Sequence, residues 1–184
     1  LLDRDGVLNK LIEINGEKTS PKSLEQFELF PNLPQVIRKI REDYLVIIVT
    51  NQPDIARNKM SEIELEKMHE KLREQIEFDD LFVCKHGDAD NCQCRKPKPG
   101  MIINSAIKWK IDLKNSIIIG DSWRDMLAGE KAGLITCYID HWGDNNYNNK
   151  IQFKYDFKVN DLKSAVKVIY ENILGKIVKQ PLNP

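Results

Sequence analysis

Residues 45–52 read Leu-Val-Ile-Ile-Val-Thr-Asn-Gln, an uninterrupted apolar run that ends in polar residues. Short runs rich in β-branched residues are typical of strands that are buried on both faces of a parallel sheet. Three later segments have the same character, namely Leu81–Val83, Ser116–Ile119 and Leu134–Ile139, and Leu1–Leu2 gives the end of a first strand. Polar residues at the carboxyl ends of such strands lie where open α/β sheets bind their ligands.

The segments between these strands have helical periodicity. The predicted helices are Asn32–Arg41, one opened by a capping box at Ser61–Glu64, one whose first turn contains Pro99, Trp123–Ala132 closed by Gly133, and one capped by Asp161. Alternation of strands and helices predicts an α/β fold with a doubly wound, Rossmann-like parallel sheet. We expect one domain over residues 1–175, followed by a tail at residues 176–184 that frays.

Composition excludes several classes of protein. The chain has 184 residues, with 28 Lys and Arg balanced by 28 Asp and Glu, so the net charge is zero. A protein built to grip nucleic acid would be expected to carry a basic excess. No apolar run approaches the roughly 18 residues that a membrane span requires. We therefore expect a cytoplasmic monomer without a nucleic-acid or membrane partner, whose natural N-terminus lies upstream of Leu1.

Three of the four cysteines are close together in the sequence. Cys84, Cys92 and Cys94 form, with His86, the pattern C-x-H-x5-C-x-C. Three thiolates and an imidazole make up a closed tetrahedral zinc site, which is structural because no coordination position is left for substrate. A disulfide is the alternative, but it would leave one cysteine over and give His86 no purpose. We predict a structural zinc loop at residues 84–94 and interpret Cys137 as a buried strand residue.

The polar residues after the strands form a chemically coherent set. Asp3 and Asp5 follow the first strand, and Gly6 permits the sharp turn that lets both carboxylates face one site. Carboxylates suit Mg²⁺, and Lys and Thr suit a phosphate held against that ion. A solvated surface could explain any one group, but not why each follows a strand. The remaining members of the set are Thr50, Asn51, Arg95, Lys96, Asp121 and Asp125.

Four segments together resemble the motifs of the haloacid dehalogenase-like phosphatases. They are residues 3–9 (Asp-Arg-Asp-Gly-Val-Leu-Asn), 50–52 (Thr-Asn-Gln), 95–101 (Arg-Lys-Pro-Lys-Pro-Gly-Met) and 120–125 (Gly-Asp-x-x-x-Asp). The zinc loop narrows the resemblance to the subgroup that contains the histidinol-phosphate phosphatases and the D,D-heptose 1,7-bisphosphate phosphatases. The segments between the motifs leave no room for a large cap domain. The active site should therefore be open, with the zinc loop forming one wall.

The resemblance implies roles for four residues. Asp3 would be the nucleophile that forms an aspartyl-phosphate, and Asp5 the general acid that later acts as base. Thr50 and Lys96 would stabilise charge on the transferring phosphoryl group.

The resemblance also implies a Mg²⁺ site. Its ligands would be Asp3, the backbone carbonyl of Asp5, and Asp121. For Asp125 two roles remain open, as an outer ligand through water or as a support for the residues that contact the metal.

Two segments favour the heptose enzymes within the subgroup. Residues 97–101 match their Pro-x-Pro-Gly-Met motif, and residues 52–57 resemble their Gln-Ser-Gly-Ile-Ala-Arg segment. The implied reaction is removal of the 7-phosphate from D-glycero-D-manno-heptose 1,7-bisphosphate, a step of lipopolysaccharide biosynthesis. Asn51 and Arg95 would contact the sugar phosphate. Arg57 would bind the distal phosphate, unless it is merely a solvated loop cation.

Departures from the pattern leave the substrate more open than the reaction. Pro53 and Asp54 replace Ser and Gly, and Asn58 replaces the Gly after Arg57. The alternative substrate is histidinol phosphate. A polynucleotide 3′-phosphatase and a non-catalytic, zinc-stabilised binding module are less favoured hypotheses.

Overall fold

The computed structural model describes residues 1–141 and 151–174 and contains, among them, seven strands and five α-helices. The strands are β1 (Ile12–Ile14), β2 (Glu17–Thr19), β3 (Ile47–Asn51), β4 (Asp80–Cys84), β5 (Ile117–Gly120), β6 (Ile135–Ile139) and β7 (Phe157–Val159). The helices are α1 (Leu33–Arg41), α2 (Glu62–Gln75), α3 (Gly100–Trp109), α4 (Trp123–Ala132) and α5 (Leu162–Ile169). These bounds confirm the predicted α/β alternation, and the predicted tail at residues 176–184 lies outside the described residues.

The central sheet is parallel, and the N-terminal residues lie in its middle. β3 pairs with β4, β5 pairs with β6, and β6 pairs with β7. Leu2 joins the two parts through parallel bridges to Ile48 of β3 and Ile119 of β5. The spatial order is therefore β4, β3, the Leu2 segment, β5, β6 and β7. Chain order runs outward in both directions from Leu2, so Leu2 marks the topological switch point at which such sheets bind ligands.

Both faces of the sheet are buried, as the apolar runs predict. Alternate side chains point to opposite faces: Ile48 packs in the cluster beneath α1, α2 and α5, whereas Ile47 and Val49 pack in the cluster beneath α3 and α4. Cys137 of β6 is fully buried, which confirms its interpretation as a strand residue. Because neither face is solvated, substrate can reach the sheet only at its ends.

Helix ends follow the local chemistry of the sequence. Ser122 and Asp125 form a reciprocal capping box at the start of α4, and Gly133 ends that helix at φ +77°. At α2 only half of the expected box forms: Ser61 accepts from the Glu64 backbone, while the Glu64 carboxylate accepts from the Leu24 backbone nitrogen instead. The β1–β2 hairpin occupies the first gap between motifs, and the described residues contain no cap domain there.

In the described part of the chain, none of the helices has both the length and the apolar character needed to cross a membrane.

Candidate active site

The chemically coherent residues converge at the carboxyl end of the sheet. Asp3 and Asp5 follow Leu2 at the switch point, Thr50 is the penultimate residue of β3, and Asp121 directly follows β5. Lys96 comes from the segment after the zinc loop and reaches between these strand ends. Parallel strands place their carboxyl ends at one edge, so residues separated by more than a hundred positions meet in one cleft.

Lys96 is the buried centre of this cluster. Its ammonium group donates to the carbonyl oxygen of Val49 at 2.7 Å, lies 2.9 Å from Asp3 Oδ1, and also pairs with Asp125 Oδ1. Burial alone would lower the pKa of Lys96, but the carboxylates of Asp125 and Asp3 outweigh it and raise that pKa above its usual value. Lys96 is therefore a fixed cation at the end of the sheet.

Asp125 has a supporting role in this arrangement. It is completely buried, one of its oxygens pairs with Lys96, and the other accepts from the Ser122 backbone nitrogen at 3.2 Å. The same carboxylate thus caps α4 and holds Lys96. Gly120 is required beside it, because a Cβ at that position would lie 2.3 Å from the Asp125 Cβ. Of the two roles left open by the sequence, this geometry favours support.

The site carries more negative than positive charge. Asp3, Asp5, Asp121 and Asp125 are all buried, and Arg4 and Lys96 are the buried cations beside them, so full ionisation of the four carboxyls would leave two negative charges uncompensated.

Burial and like charge accordingly disfavour ionisation of these carboxyls. They raise the pKa of Asp3 to about 7, and they raise the pKa of Asp121 well above its ordinary value. Carboxylate oxygens of Asp3, Asp121 and Asp125 lie within 4.8 Å of one another. This donor set and its charge fit a hard divalent cation.

Gly6 allows the acidic loop to approach Asp121. Its φ is +78°, and a Cβ there would lie 1.9 Å from Asp121 Oδ2. Only glycine combines this backbone conformation with so close a contact.

Asp5 is held in a single orientation by its neighbours. Arg4 donates to Asp5 Oδ1 through Nε at 3.1 Å and through Nη2 at 2.9 Å, and Gln52 Nε2 donates to Asp5 Oδ2 at 2.7 Å. The same Gln52 nitrogen also donates to Thr50 Oγ1 at 2.9 Å. Gln52 thus links the two predicted catalytic residues Asp5 and Thr50, while Arg4 holds Asp5 from its other side.

Asn51 contacts the backbone of Lys96. Its Oδ1 accepts from the Lys96 nitrogen at 3.1 Å, and its Nδ2 donates to the Lys96 oxygen at 3.0 Å. Asn51 also lines the cleft. Its predicted contact with substrate stays a prediction, whereas its effect on the position of Lys96 follows directly from these two bonds.

Arginines line one side of the cleft, which has a volume of about 270 Å³. Arg95 Nε donates to Asp88 Oδ1 at 2.9 Å, while its buried Nη1 has no hydrogen-bond partner among the described residues. Arg57 lies 3.3 Å from Asp88 and 3.4 Å from Asp54. Arg124, whose guanidinium packs over the Trp123 ring at 4.5 Å, completes the row.

The arginines are close enough to influence one another. Burial, followed by the charge of Arg95, lowers the pKa of Arg124. Asp54, which replaces a small residue of the family pattern, is paired with Lys22 at 3.8 Å as well as with Arg57. Its negative charge is therefore compensated locally, and the row as a whole presents positive charge to the cleft.

The cysteine-rich loop forms a second donor cluster. All four cysteines are free thiols, and the three loop sulfurs lie 3.2–3.7 Å apart. The His86 Nδ1 atom lies 3.2 Å from Cys94 Sγ and 3.6 Å from Cys84 Sγ. These distances are far longer than the ~2 Å of a disulfide and close to the ~3.8 Å sulfur separation of a tetrahedral zinc thiolate site. The four residues could hold one metal ion.

Sequence reasoning did not identify Arg4, Gln52, His69 or Arg124 as parts of the site. Arg4 lies inside the first motif, but the sequence analysis assigned no role to it. Gln52 and Arg124 likewise lie inside quoted motifs and could have been proposed as positioning residues. His69 carries no local signal, because its partner Arg4 is 65 positions away.

Comparison with known proteins gives a consistent family. A family profile described as Polynucleotide kinase 3 phosphatase matches residues 3–171. The chain is similar to D-glycero-alpha-D-manno-heptose-1,7-bisphosphate 7-phosphatase of Photorhabdus laumondii, with 37% identity over 151 residues, which covers 75% of this chain and 79% of the relative. It is also similar to D-glycero-beta-D-manno-heptose-1,7-bisphosphate 7-phosphatase of Bordetella bronchiseptica, with 34% identity over 139 residues, which covers 72% of this chain and 75% of the relative.

A solved structure supports the same relationship. The D,D-heptose 1,7-bisphosphate phosphatase of B. bronchiseptica, complexed with magnesium and phosphate, superposes with a TM-score of 0.79 at 28% identity. The match covers 92% of this chain and 96% of that one, so the similarity extends over nearly the whole fold.

Proposed function

The chain belongs to the haloacid dehalogenase-like phosphatases, within the family described as Polynucleotide kinase 3 phosphatase, and on that premise we propose that it removes the 7-phosphate from D-glycero-D-manno-heptose 1,7-bisphosphate. The observation that carries the proposal is the buried contact between Asp3 and Lys96 at the sheet's switch point, beside a row of arginines. This arrangement combines a nucleophile with two separate groups of cations, Lys96 beside Asp3 and the arginine row, each of which could bind one phosphate.

The first step transfers the phosphoryl group to the enzyme. A carboxylate oxygen of Asp3 attacks phosphorus, and the bond from phosphorus to the sugar oxygen breaks. The departing oxygen takes the proton of Asp5, so the sugar leaves as a neutral alcohol. Lys96, held 2.9 Å from Asp3, stabilises the charge that develops on the phosphoryl oxygens. Thr50 is buried beneath the site and would help to orient Asp5 through Gln52, which donates to both residues.

The second step releases phosphate. The Asp5 carboxylate takes a proton from water as the water oxygen attacks phosphorus. The acyl–phosphate bond breaks, and Asp3 is regenerated as a carboxylate together with inorganic phosphate. The two steps together consume one water molecule and return every residue to its starting protonation state.

We propose Mg²⁺ as the divalent cation of this site. Asp3, Asp121 and the backbone carbonyl of Asp5 would hold it, and the uncompensated negative charge of the cluster supports this assignment. When bound, Mg²⁺ supplies neutralisation of the phosphoryl charge that would otherwise repel the carboxylate nucleophile.

The arginine row is proposed to bind the second phosphate. Arg57 and Arg95 already pair with Asp88, but the buried Nη1 of Arg95 offers a donor that an incoming oxyanion would satisfy. Arg124 adds a further guanidinium, and planar guanidinium groups suit bidentate contacts with phosphate. A bisphosphate would thus bridge the Asp3 site and this row.

Zinc is proposed as the ion of the cysteine-rich loop. Thiolate and imidazole ligands at these separations suit Zn²⁺, and four protein ligands leave no position for chemistry. The ion would therefore order the loop that precedes Arg95 and Lys96.

We further propose a cytoplasmic monomer whose phosphatase domain spans residues 1–175. Free metal-binding thiols persist in reducing compartments, which supports the location. The exposed large apolar residues Leu45, Ile63 and Ile107 come from the loop before β3, from α2 and from α3, not from one continuous apolar stretch, which supports a single chain.

A phosphate-release assay tests the proposed function. Purified protein with Mg²⁺ is offered heptose 1,7-bisphosphate, histidinol phosphate and an oligonucleotide with a 3′-phosphate, the last because of the family's name. We expect the highest kcat/KM on the heptose bisphosphate and the loss of all turnover in Asp3→Asn. A preference for histidinol phosphate or for the oligonucleotide would contradict the proposed substrate, and absence of phosphate release from all three would contradict the function.

A further inference from the structure

A buried histidine on α2 contacts the acidic motif from behind. His69 is 2% exposed, and its Nε2 lies 3.1 Å from Nη1 of Arg4, which is itself fully buried. Arg4 in turn holds Asp5 through Nε and Nη2. The three side chains therefore form a continuous chain of contacts that runs from the core to the cleft.

The direction of each hydrogen bond follows from chemistry. A guanidinium group has donors only, so Nε2 of His69 must accept and its ring proton must lie on Nδ1. The carboxylate of Glu66 is 3.8 Å from Nδ1 and is the acid that faces this proton. Burial, followed by the charge of Arg4, lowers the pKa of His69 to about 4, in agreement with a neutral acceptor.

The arginine is confined on its remaining sides. Its guanidinium carbon lies 5.3 Å from the centroid of the Phe27 ring, and its backbone nitrogen donates to Asp3 Oδ1 at 2.7 Å. Without His69, a donor of a fully buried cation would lose its partner, and the guanidinium would be expected to tilt away from Asp5. Asp5 would then keep only its bond to Gln52.

We infer that His69 is a positioning residue for the phosphatase reaction: it accepts a hydrogen bond from Arg4 and thereby fixes the Asp5 carboxyl where it can protonate the leaving oxygen. The inference rests on the proposed function. Proton donation leaves Asp5 as a carboxylate, and a correctly placed Arg4 stabilises that charge as it forms. His69 itself touches neither substrate nor metal.

A merely structural role for His69 predicts a different outcome from a positioning role. A packing defect lowers the fraction of active enzyme and reduces the rates on all substrates alike. A misplaced general acid slows only those substrates whose leaving group needs a proton. The ratio of rates on an alkyl phosphate and on p-nitrophenyl phosphate separates the two roles, because it does not depend on how much of the sample is folded.

The experiment compares His69→Leu, His69→Gln and Leu72→Val in the full chain with Mg²⁺. The His69→Leu variant lacks the hydrogen-bond acceptor, and His69→Gln restores an acceptor oxygen at a similar distance from the backbone. Leu72→Val loosens the packing of the same buried face of α2 and leaves the His69–Arg4 pair in place. The alkyl substrate is whichever sugar monophosphate or bisphosphate the wild type hydrolyses.

In His69→Leu we expect kcat on the alkyl phosphate to fall roughly 30–100-fold and kcat on p-nitrophenyl phosphate by less than about 3-fold. His69→Gln should recover most of the loss, and Leu72→Val should leave the ratio unchanged. Equal losses on both substrates, or no loss on either, overturn the inference.

Nuclear magnetic resonance of the wild-type imidazole provides a test that does not require turnover. We expect ¹⁵N shifts of a neutral ring protonated at Nδ1 that stay constant from pH 8 to pH 5.5. Protonation of His69 above pH 6 overturns the inference, since an imidazolium cannot accept from Arg4. An enzyme without phosphatase activity would contradict the proposed function, while the resonance result would still decide the geometry.

Discussion

Two clusters of candidate metal ligands occur among the described residues, and they are built in opposite ways. Asp3, Asp121 and Asp125 are all buried and are placed by the sheet and by the start of α4. The four candidate ligands of the zinc loop lie within eleven consecutive residues, and among these four only Cys84 belongs to a strand and is buried. The first cluster is therefore held by regular secondary structure, whereas on the proposed assignment the second would gain its order from a bound ion.

The two clusters also differ in how the charge of their side chains is compensated. Burial raises the pKa of the Cys84 thiol to about 12, so without a metal this ligand carries its proton. In the acidic cluster Lys96 already compensates part of the charge. The acidic cluster thus contains its own cation, Lys96, whereas on the proposed assignment a bound metal ion would stabilise the zinc loop.

Lys96→Met should have the largest effect, because it removes the internal cation. Three buried carboxylates would lose their neighbour, and the transferring phosphoryl group would lose a donor. We expect kcat/KM to fall about 10³-fold, with zinc content unchanged at about one per chain. Steady-state kinetics and elemental analysis measure the two quantities. Lys98→Met is the matched control, since the Lys98 ammonium donates to Asn91 of the loop and, among the described residues, forms no ion pair with the acidic cluster. Loss of zinc from Lys96→Met would mean that the two clusters are not independent.

Cys94→Ser should affect the opposite cluster. Zinc content should fall to near zero and the thermal midpoint by roughly 5–10 °C, since each kcal/mol shifts the midpoint by about 2–4 °C in a chain of this size. Turnover of p-nitrophenyl phosphate should stay within about 3-fold, because Lys96 keeps its partners Val49 and Asp125. Cys137→Ser reports the cost of the same exchange at a buried thiol outside the loop. Equal zinc loss in both variants would contradict the assigned ligands.

Acid should lower the free energy of unfolding through His69, the buried histidine that contacts Arg4 behind the acidic motif. The folded chain holds the pKa of His69 at about 4, whereas an unfolded histidine titrates near 6.5. Below pH 6.5 the unfolded state takes up a proton that the native state refuses, so this contribution is present at pH 7 and is lost as the pH falls towards 4. From pH 7 to pH 5 it amounts to about 2 kcal/mol.

Urea unfolding of the wild type and of His69→Gln at pH 7 and pH 5 measures this contribution. The wild type should lose about 2 kcal/mol more than the variant over that interval. Protonation of zinc ligands affects both proteins equally and cancels in the difference. An identical pH dependence of the two proteins would show that His69 does not titrate as its burial requires.

Arg124→Gln should give the smallest change in kinetics. It tests whether the arginine row binds the second phosphate and not the phosphate that reacts at Asp3. We expect KM for the heptose bisphosphate to rise about 10-fold, or ~1.4 kcal/mol, with little change for a monophosphate. The reason is that Arg124 lies in the arginine row, where the charges of Arg95 and Arg57 influence it. Arg38→Gln on the exposed face of α1 is the control. A similar rise in KM for both substrates would place Arg124 at the reacting phosphate instead.

The sequence by itself determined the elements and the groups of candidate ligands that lie close together along the chain. Apolar runs predicted the strands because a doubly covered sheet tolerates little else, and the cysteine–histidine cluster could be predicted because its four residues lie within residues 84–94. The acidic motifs after the strands could be assembled because parallel strands end at a common edge. Their roles came from the resemblance to a family and stay predictions.

Only the tertiary structure decided which side chains support the reacting ones. Asp125 holds Lys96, Asn51 clamps its backbone, and Arg4 and His69 hold Asp5. Arg124 joins the row on the wall of the cleft in the same way. Such contacts join residues that are far apart in the sequence. They cannot be predicted from periodicity or spacing, because they depend on how the helices and strands pack. A buried cation needs a specific partner, and the fold alone determines which residue is within reach.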